Sequence, residues 1–215
     1  MTQTFEVALF PIPNLVAFPG TIVPLHVFEP RYRQLVRDSV RDERMVAVSH
    51  VVSTISAPKQ ADDLETALQS NQATYKPCRV FSAGACELKQ TLEDGRILAH
   101  ITMTHRLTLA QDIQTLPYRI AECHEFEDQP ETDQAEANKR LQTRILAHLI
   151  NLCKADSPDF AEELDSSIWR DLDPAEFSFR IFQALRLDTE FMQTLLESTS
   201  PQERLARIDQ ALLRV

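Results

Sequence analysis

Over the first 125 residues of this 215-residue chain the apolar positions come in short runs rich in β-branched side chains. Phe5 to Leu9, Thr21 to Val27 and Met45 to Val52 predict strands, and Pro11, Pro13, Pro19 and Pro24 restrict where those strands can pair. One helix interrupts them. Glu29 to Arg44 carries Pro30 in its first turn and places Tyr32, Leu35, Val36 and Val40 at helical spacing, beside a basic stripe of Arg33, Arg37, Arg41 and Arg44. Ser53 to Pro77 is polar and without a clean period, and it reads as a long surface loop with one candidate helical turn at Asp63 to Gln69. Beyond it, Glu87 to Thr91 and Arg96 to Met103 flank Leu92-Glu93-Asp94-Gly95, a hairpin signal because glycine takes the positive φ that the turn needs. Arg106 to Gln111 and Tyr118 to His124 predict two more strands.

The period then changes. Glu125 to Gln134 is rich in carboxylates and contains Pro130, which marks a boundary between a strand lobe over 1–125 and a helical lobe over 126–215. Leu141, Ile145, Leu149 and Leu152 line one face of a long helix predicted from about Glu131 to Lys154. Asp173-Pro174-Ala175-Glu176 and Ser200-Pro201-Gln202-Glu203 are helix starts, each combining a capping side chain, proline at the first helical position and glutamate at the third. Phe177, Phe179, Phe182 and Phe191, with Trp169, read as core aromatics, Phe177 at the edge of the buried face.

Composition narrows the function classes. The apolar fraction of 43% and charged fraction of 25% are those of an ordinary globular protein, and three glycines leave no loop able to cradle phosphate. Cys78, Cys86, Cys123 and Cys153 are scattered singly, which predicts free thiols in a reducing, cytoplasmic setting. No apolar run is long enough for a membrane span, and the first residues lack a secretory pattern. The net charge of -10 is shared by both halves and opposes binding to a phosphate backbone.

Three segments share one resemblance. Leu9-Phe10-Pro11-Ile12-Pro13 leads through Phe18-Pro19-Gly20 to Pro24-Leu25, then to Glu29-Pro30-Arg31-Tyr32-Arg33. The Asp94-Gly95 hairpin is followed by Arg106 and Pro117-Tyr118-Arg119-Ile120-Ala121-Glu122, and Met192 to Glu197 is followed by Glu203-Arg204-Leu205. Together they resemble the amino-terminal, substrate-binding domain of Lon proteases. The glycine of that pattern near Thr104 and His105 is absent, and Gly84 is displaced from another by a residue or so. The resemblance implies an α+β fold, a PUA-like β-barrel lobe followed by an α-helical bundle. It also implies a polypeptide or protein client. The ATPase and serine-lysine peptidase modules of Lon proteases have no counterpart in these residues, so a stand-alone, non-catalytic module is expected.

Other chemistry rests on isolated residues. Cys123 and His124 are adjacent on a strand and point to opposite faces, so they form no thiolate-imidazole couple. His100 and His105, five apart, also face apart unless a bulge falls between Thr102 and Thr104. No spacing suits a metal, and no cofactor is expected. Glu162-Glu163 and Asp62-Asp63 read as hydrated surface. His26, Glu29, Arg31, Tyr32 and Arg33 are the peptide-binding candidates, because carboxylate, guanidinium and aromatic groups at a strand-to-helix junction can engage a polypeptide. Their structural alternative sets Glu29 at the positive helix end, Tyr32 in the core and the arginines solvated or internally paired. Phe18-Pro19-Gly20 is expected to set a turn. An RNA-binding PUA-like protein and a hydrolase assembled from distant residues are the competing functions.

Overall fold

The computed structural model describes residues 3–56 and 73–213, which form a mixed α and β chain with its large sheet first and its helices after. Asp62, Asp63 and the candidate turn up to Gln69 lie outside the described residues. Two compact units are distinguished: Met1–Phe126 with Arg186–Leu196, and Glu127–Leu185 with Glu197–Val215.

The first unit contains β1 (Thr4–Pro11), β2 (Ile22–Val27), β3 (Val46–Ser49), β4 (Val51–Ser56), β5 (Thr74–Pro77), β6 (Val80–Thr91), β7 (Ile97–Gln114) and β8 (Arg119–Glu125). Six of them run in the order β2-β7-β6-β3-β1-β8, and β7 also pairs with β8, so the sheet closes into a barrel. Val7 and Leu9 fall in one interior cluster with Phe81, Leu107 and Cys123, while Ala8 falls in another with Val46, Ile101 and Tyr32. The two clusters lie on the two faces of β1, as period-two alternation demands.

α1 (Pro30–Arg41) buries Tyr32, Leu35 and Val36 but leaves Val40, expected on the same face, 41% exposed. The helix stops earlier than Arg44 because Glu43 adopts a left-handed φ of 52°. Met45 to Val52 is two strands rather than one, broken at His50. Two segments expected as separate strands form the single β7 of 18 residues, which runs through its irregularities. In the polar stretch read as a loop, β4 and β5 pair as a ribbon of their own.

Phe18-Pro19-Gly20 is a turn. Gly20 has φ 79° and donates its N–H to the Met103 carbonyl, and the Thr21 hydroxyl donates to the Phe18 carbonyl at 2.7 Å. The pairing of Ala83 with His105 and of Gly84 with Met103 leaves Thr104 as an extra residue, the bulge on which the facing of His100 and His105 depended. Gly84 packs against that strand so closely that a Cβ would stand 1.8 Å from the Thr102 carbonyl oxygen.

The second unit is helical: α2 (Ala135–Cys153), α3 (Pro158–Leu164), α4 (Ser167–Arg170), α5 (Pro174–Arg180) with a 3-10 turn (Ile181–Gln183), and α7 (Pro201–Leu212). α2 starts after Asp133, whose φ is 59°, and the Glu131 carboxylate instead accepts from Ser200 Oγ at 2.5 Å and the Gln202 N–H at 3.1 Å at the start of α7. Asp173 caps α5 through the Ala175 N–H, and Ser200 caps α7 through that of Glu203. Ile145 and Leu149 are buried as predicted, but Leu152 is exposed. Phe177 is fully buried instead of lying at a face edge. Arg204, also fully buried, makes two 2.6 Å hydrogen bonds to the Asp128 carboxylate, bonds Ser178 Oγ and lies over the Phe179 ring.

Helix α6 (Thr189–Glu197) returns, up to Leu196, to the first unit. Gln193 donates to the Val80 carbonyl, and buried Arg106 donates to the carbonyls of Phe126 and Leu196, placing a cation at the carbonyl end of the helix.

Candidate functional site

The opening motif builds one end of the barrel. β1 pairs with β8 from Thr4 to Leu9 and with β3 from Ala8 to Pro11, so past Leu9 its β8 side has no strand partner. β2 pairs with β7 alone. Pro11, Pro13 and Pro24 offer no N–H along these open edges, which resists strand addition by another chain.

Between the edges lies a cavity of about 450 Å³, walled by Phe10 to Pro13 of β1 and its exit, by Leu25 to Phe28 of β2, and by Tyr32 and Tyr75. A second cavity of about 420 Å³ shares Pro11, Tyr32 and Tyr75 and extends to Ile55, Leu116 and Tyr118. The shared residues set the two side by side, and together they form one groove. Its apolar lining is open to solvent, with Leu116 80%, Ile55 64% and Phe28 42% exposed.

Tyr32 is the central wall. Glu29 precedes α1 with extended backbone and accepts the N–H groups of Tyr32 and Arg33, which sets the first turn. The Tyr32 ring then stacks on Phe10, 4.0 Å between centroids, with the Arg31 guanidinium 4.6 Å from its own centroid. Burial pushes its hydroxyl up to about 12 despite the neighbouring Arg31, so it stays a neutral phenol at physiological pH.

The charged candidates divide. Glu29 and Arg31 have side chains only 11% exposed and pair with each other at 2.8 Å, the internal pairing of the structural alternative. Arg31 also donates to the Ala73 carbonyl and to Thr74 Oγ1, fastening the start of α1 to that of β5. His26 is exposed and lines the first cavity. Arg33 lies against the β6–β7 hairpin, where a Cβ on Gly95 would meet its Nη1 at 2.7 Å, and lines neither cavity. The structure thus brings His26, Glu29, Arg31 and Tyr32 to one groove and leaves Arg33 outside it.

Tyr75, Lys76, Ile55 and Leu116 also line the groove, and no sequence motif marks them. The one available signal was an aromatic residue inside a stretch otherwise read as a polar loop.

The remaining chemistry is not assembled. Cys123 is buried inside the barrel and burial pushes its thiol up to about 12, while the partly exposed His124 belongs to the opposite face of β8. Glu162 and Glu163 are both exposed. Among the described residues no group of three or more His, Cys, Asp or Glu side chains is placed to hold a metal ion, and no helix is long and apolar enough to cross a membrane.

The family model described as the ATP-dependent protease La (LON) substrate-binding domain matches residues 6–214. The chain belongs to this family. Among curated relatives it is similar to Lon protease 1 of Herpetosiphon aurantiacus, 24% identical over 210 residues, covering 97% of this chain and 24% of that protein. The chain therefore spans about a quarter of that relative's length. Its fold is similar to that of the N-terminal domain of Mycobacterium avium complex Lon protease, with a TM-score of 0.68, 14% identity and coverage of 97% and 98% of the two chains. It is also similar to a Lon N-terminal domain protein from Xanthomonas campestris, with a TM-score of 0.54, 19% identity and coverage of 94% and 96%. Within this LON domain the family-like segment after β7 supplies Tyr118, whose hydroxyl donates to Asp38 at 2.9 Å and ties the entry into β8 to α1.

Proposed function

We propose that this LON domain is a non-catalytic polypeptide-binding module that recognises client proteins, in connection with proteolysis, through the groove centred on Pro11, Tyr32 and Tyr75. The observation that carries the reading is the open apolar lining of that groove, from Phe28 through Tyr75 to Ile55 and Leu116. Exposed apolar surface of this kind gains free energy when covered, and a flexible polypeptide can cover it. Membership of a substrate-binding family supports the same reading.

RNA binding is less well supported. In the basic stripe from Arg33 to Arg44, Arg41 pairs with Asp38 and Asp42, and Arg44 lies 3.9 Å from Asp42, so part of its charge is neutralised. A hydrolase reading would need an activated nucleophile, and the buried Cys123 thiol is not one. A cytoplasmic address belongs to the same proposal, since none of the four cysteines is in a disulfide.

Fluorescence anisotropy with a panel of labelled unfolded polypeptides tests the function. Saturable binding that Tyr75→Ala weakens is expected. An absence of binding across the panel overturns the proposal.

A further inference from the structure

The two halves of the groove differ in charge. The first cavity has Glu29 as its one formally charged side chain, with His26 beside it. The second is lined by Arg31, Lys76 and Arg119 against a single carboxylate, Asp112. Two of these cations are already matched. Arg31 pairs with Glu29, and Arg119 holds Asp112 through contacts of 2.7 Å to each carboxylate oxygen. Lys76 is exposed and has no ion pair among the described residues, so the second cavity keeps a net positive rim in a chain of net charge -10.

We propose that the groove selects polypeptide segments in which an acidic side chain lies next to a bulky apolar one, the apolar group entering the first cavity and the carboxylate meeting Lys76 at the second. The inference rests on the polypeptide-binding reading and adds a charge preference to it. Burial against Phe10, Tyr32 and Tyr75 supplies most of the affinity. The exposed ion pair biases the choice, by about two- to fivefold at low salt, and is screened as ionic strength rises. The direction of the bias is informative because the protein as a whole repels acidic ligands.

The test uses short fluorescein-labelled peptides containing Leu and Phe beside one central Glu, Gln or Lys, titrated with the full chain at low and high salt. The expected order at low salt is Glu tightest, then Gln, then Lys, with the differences shrinking in high salt. Lys76→Glu, with its fold checked by circular dichroism, is expected to invert that order. Because the peptide series requires no protein variant, a misfolded substitution does not spare the proposal. Equal binding of the Glu and Gln peptides, or an order unchanged by Lys76→Glu, overturns the charge preference and leaves polypeptide binding standing. Failure of all three peptides to bind overturns both. Single-stranded RNA displacing the Glu peptide more effectively than unlabelled Glu peptide does would also overturn it.

Discussion

The ring of Phe10 lies on that of Tyr32, with centroids 4.0 Å apart and planes 17° from parallel. Through this stack the end of β1 and the first turn of α1 become one wall of the groove, so the same contact holds the barrel end together and shapes the surface offered to a client. Tyr32→Ala should cost about 3–5 kcal/mol, the usual range for deleting a buried ring. Tyr75→Ala, at a partly exposed position, should cost less than about 1.5 kcal/mol yet weaken polypeptide binding. Urea unfolding and anisotropy measured on both variants separate the two roles, and equal effects of both on stability would contradict the assignment.

Gly84 and Gly95 are required for different reasons. At Gly84 a methyl group would collide with backbone at 1.8 Å, so Gly84→Ala should disrupt the β6–β7 pairing and give little folded protein. At Gly95 the obstacle is a φ of 83° and the tip of the Arg33 side chain, which can move. Gly95→Ala should fold with a loss of about 1–2 kcal/mol. Comparing soluble yield and urea midpoints checks both.

Arg204 is a fully buried cation whose partners include Asp128, Ser178 and the Ser198 carbonyl. Its replacement by Met leaves the Asp128 carboxylate without this partner and should destabilise by about 3–5 kcal/mol. Arg204→Lys should recover little, because an ammonium lacks the planar fork that meets both carboxylate oxygens. Thermal unfolding of the two variants provides the comparison.

Alkaline pH should weaken the fold. Burial pushes the thiols of Cys86 and Cys123 from an ordinary 9.0 up to about 11 and about 12. It also pushes the phenols of Tyr32 and Tyr118 from 10.0 up to about 12, with donation to Asp38 contributing for Tyr118. A group raised in the folded state favours folding fully below its unfolded value, and that contribution is lost as pH rises through the folded one. Unfolding free energy should therefore fall from about pH 9 towards pH 12, and a flat series of urea midpoints over that range would contradict it. The native Cys123 thiol should likewise resist alkylation near pH 8 and react once unfolded.

Much of the architecture was legible because it is written in local rules. Short β-branched and apolar runs marked most of the strands, Asp94-Gly95 the hairpin, and Asp173 and Ser200 the starts of two helices, since each depends only on neighbours a few residues away. The opening motif likewise located one wall of the groove. The partners of its side chains were another matter: whether Arg31 is a solvent-facing contact or a fastening depends on Ala73 and Thr74, more than forty positions away in sequence.

What the sequence by itself determined was a strand-rich first part followed by helices, together with the turns and caps that follow from residue type and spacing along the chain, while its motifs carried the resemblance to the family. Only the tertiary structure decided that β7 closes the sheet against β8, that the 186–196 segment rejoins the first unit, and that Tyr75, Ile55 and Leu116 meet Tyr32 around one groove. These are choices of long-range pairing. Periodicity identifies the face a residue buries, but which distant face covers it is fixed by complementarity of shape and charge when the whole chain packs.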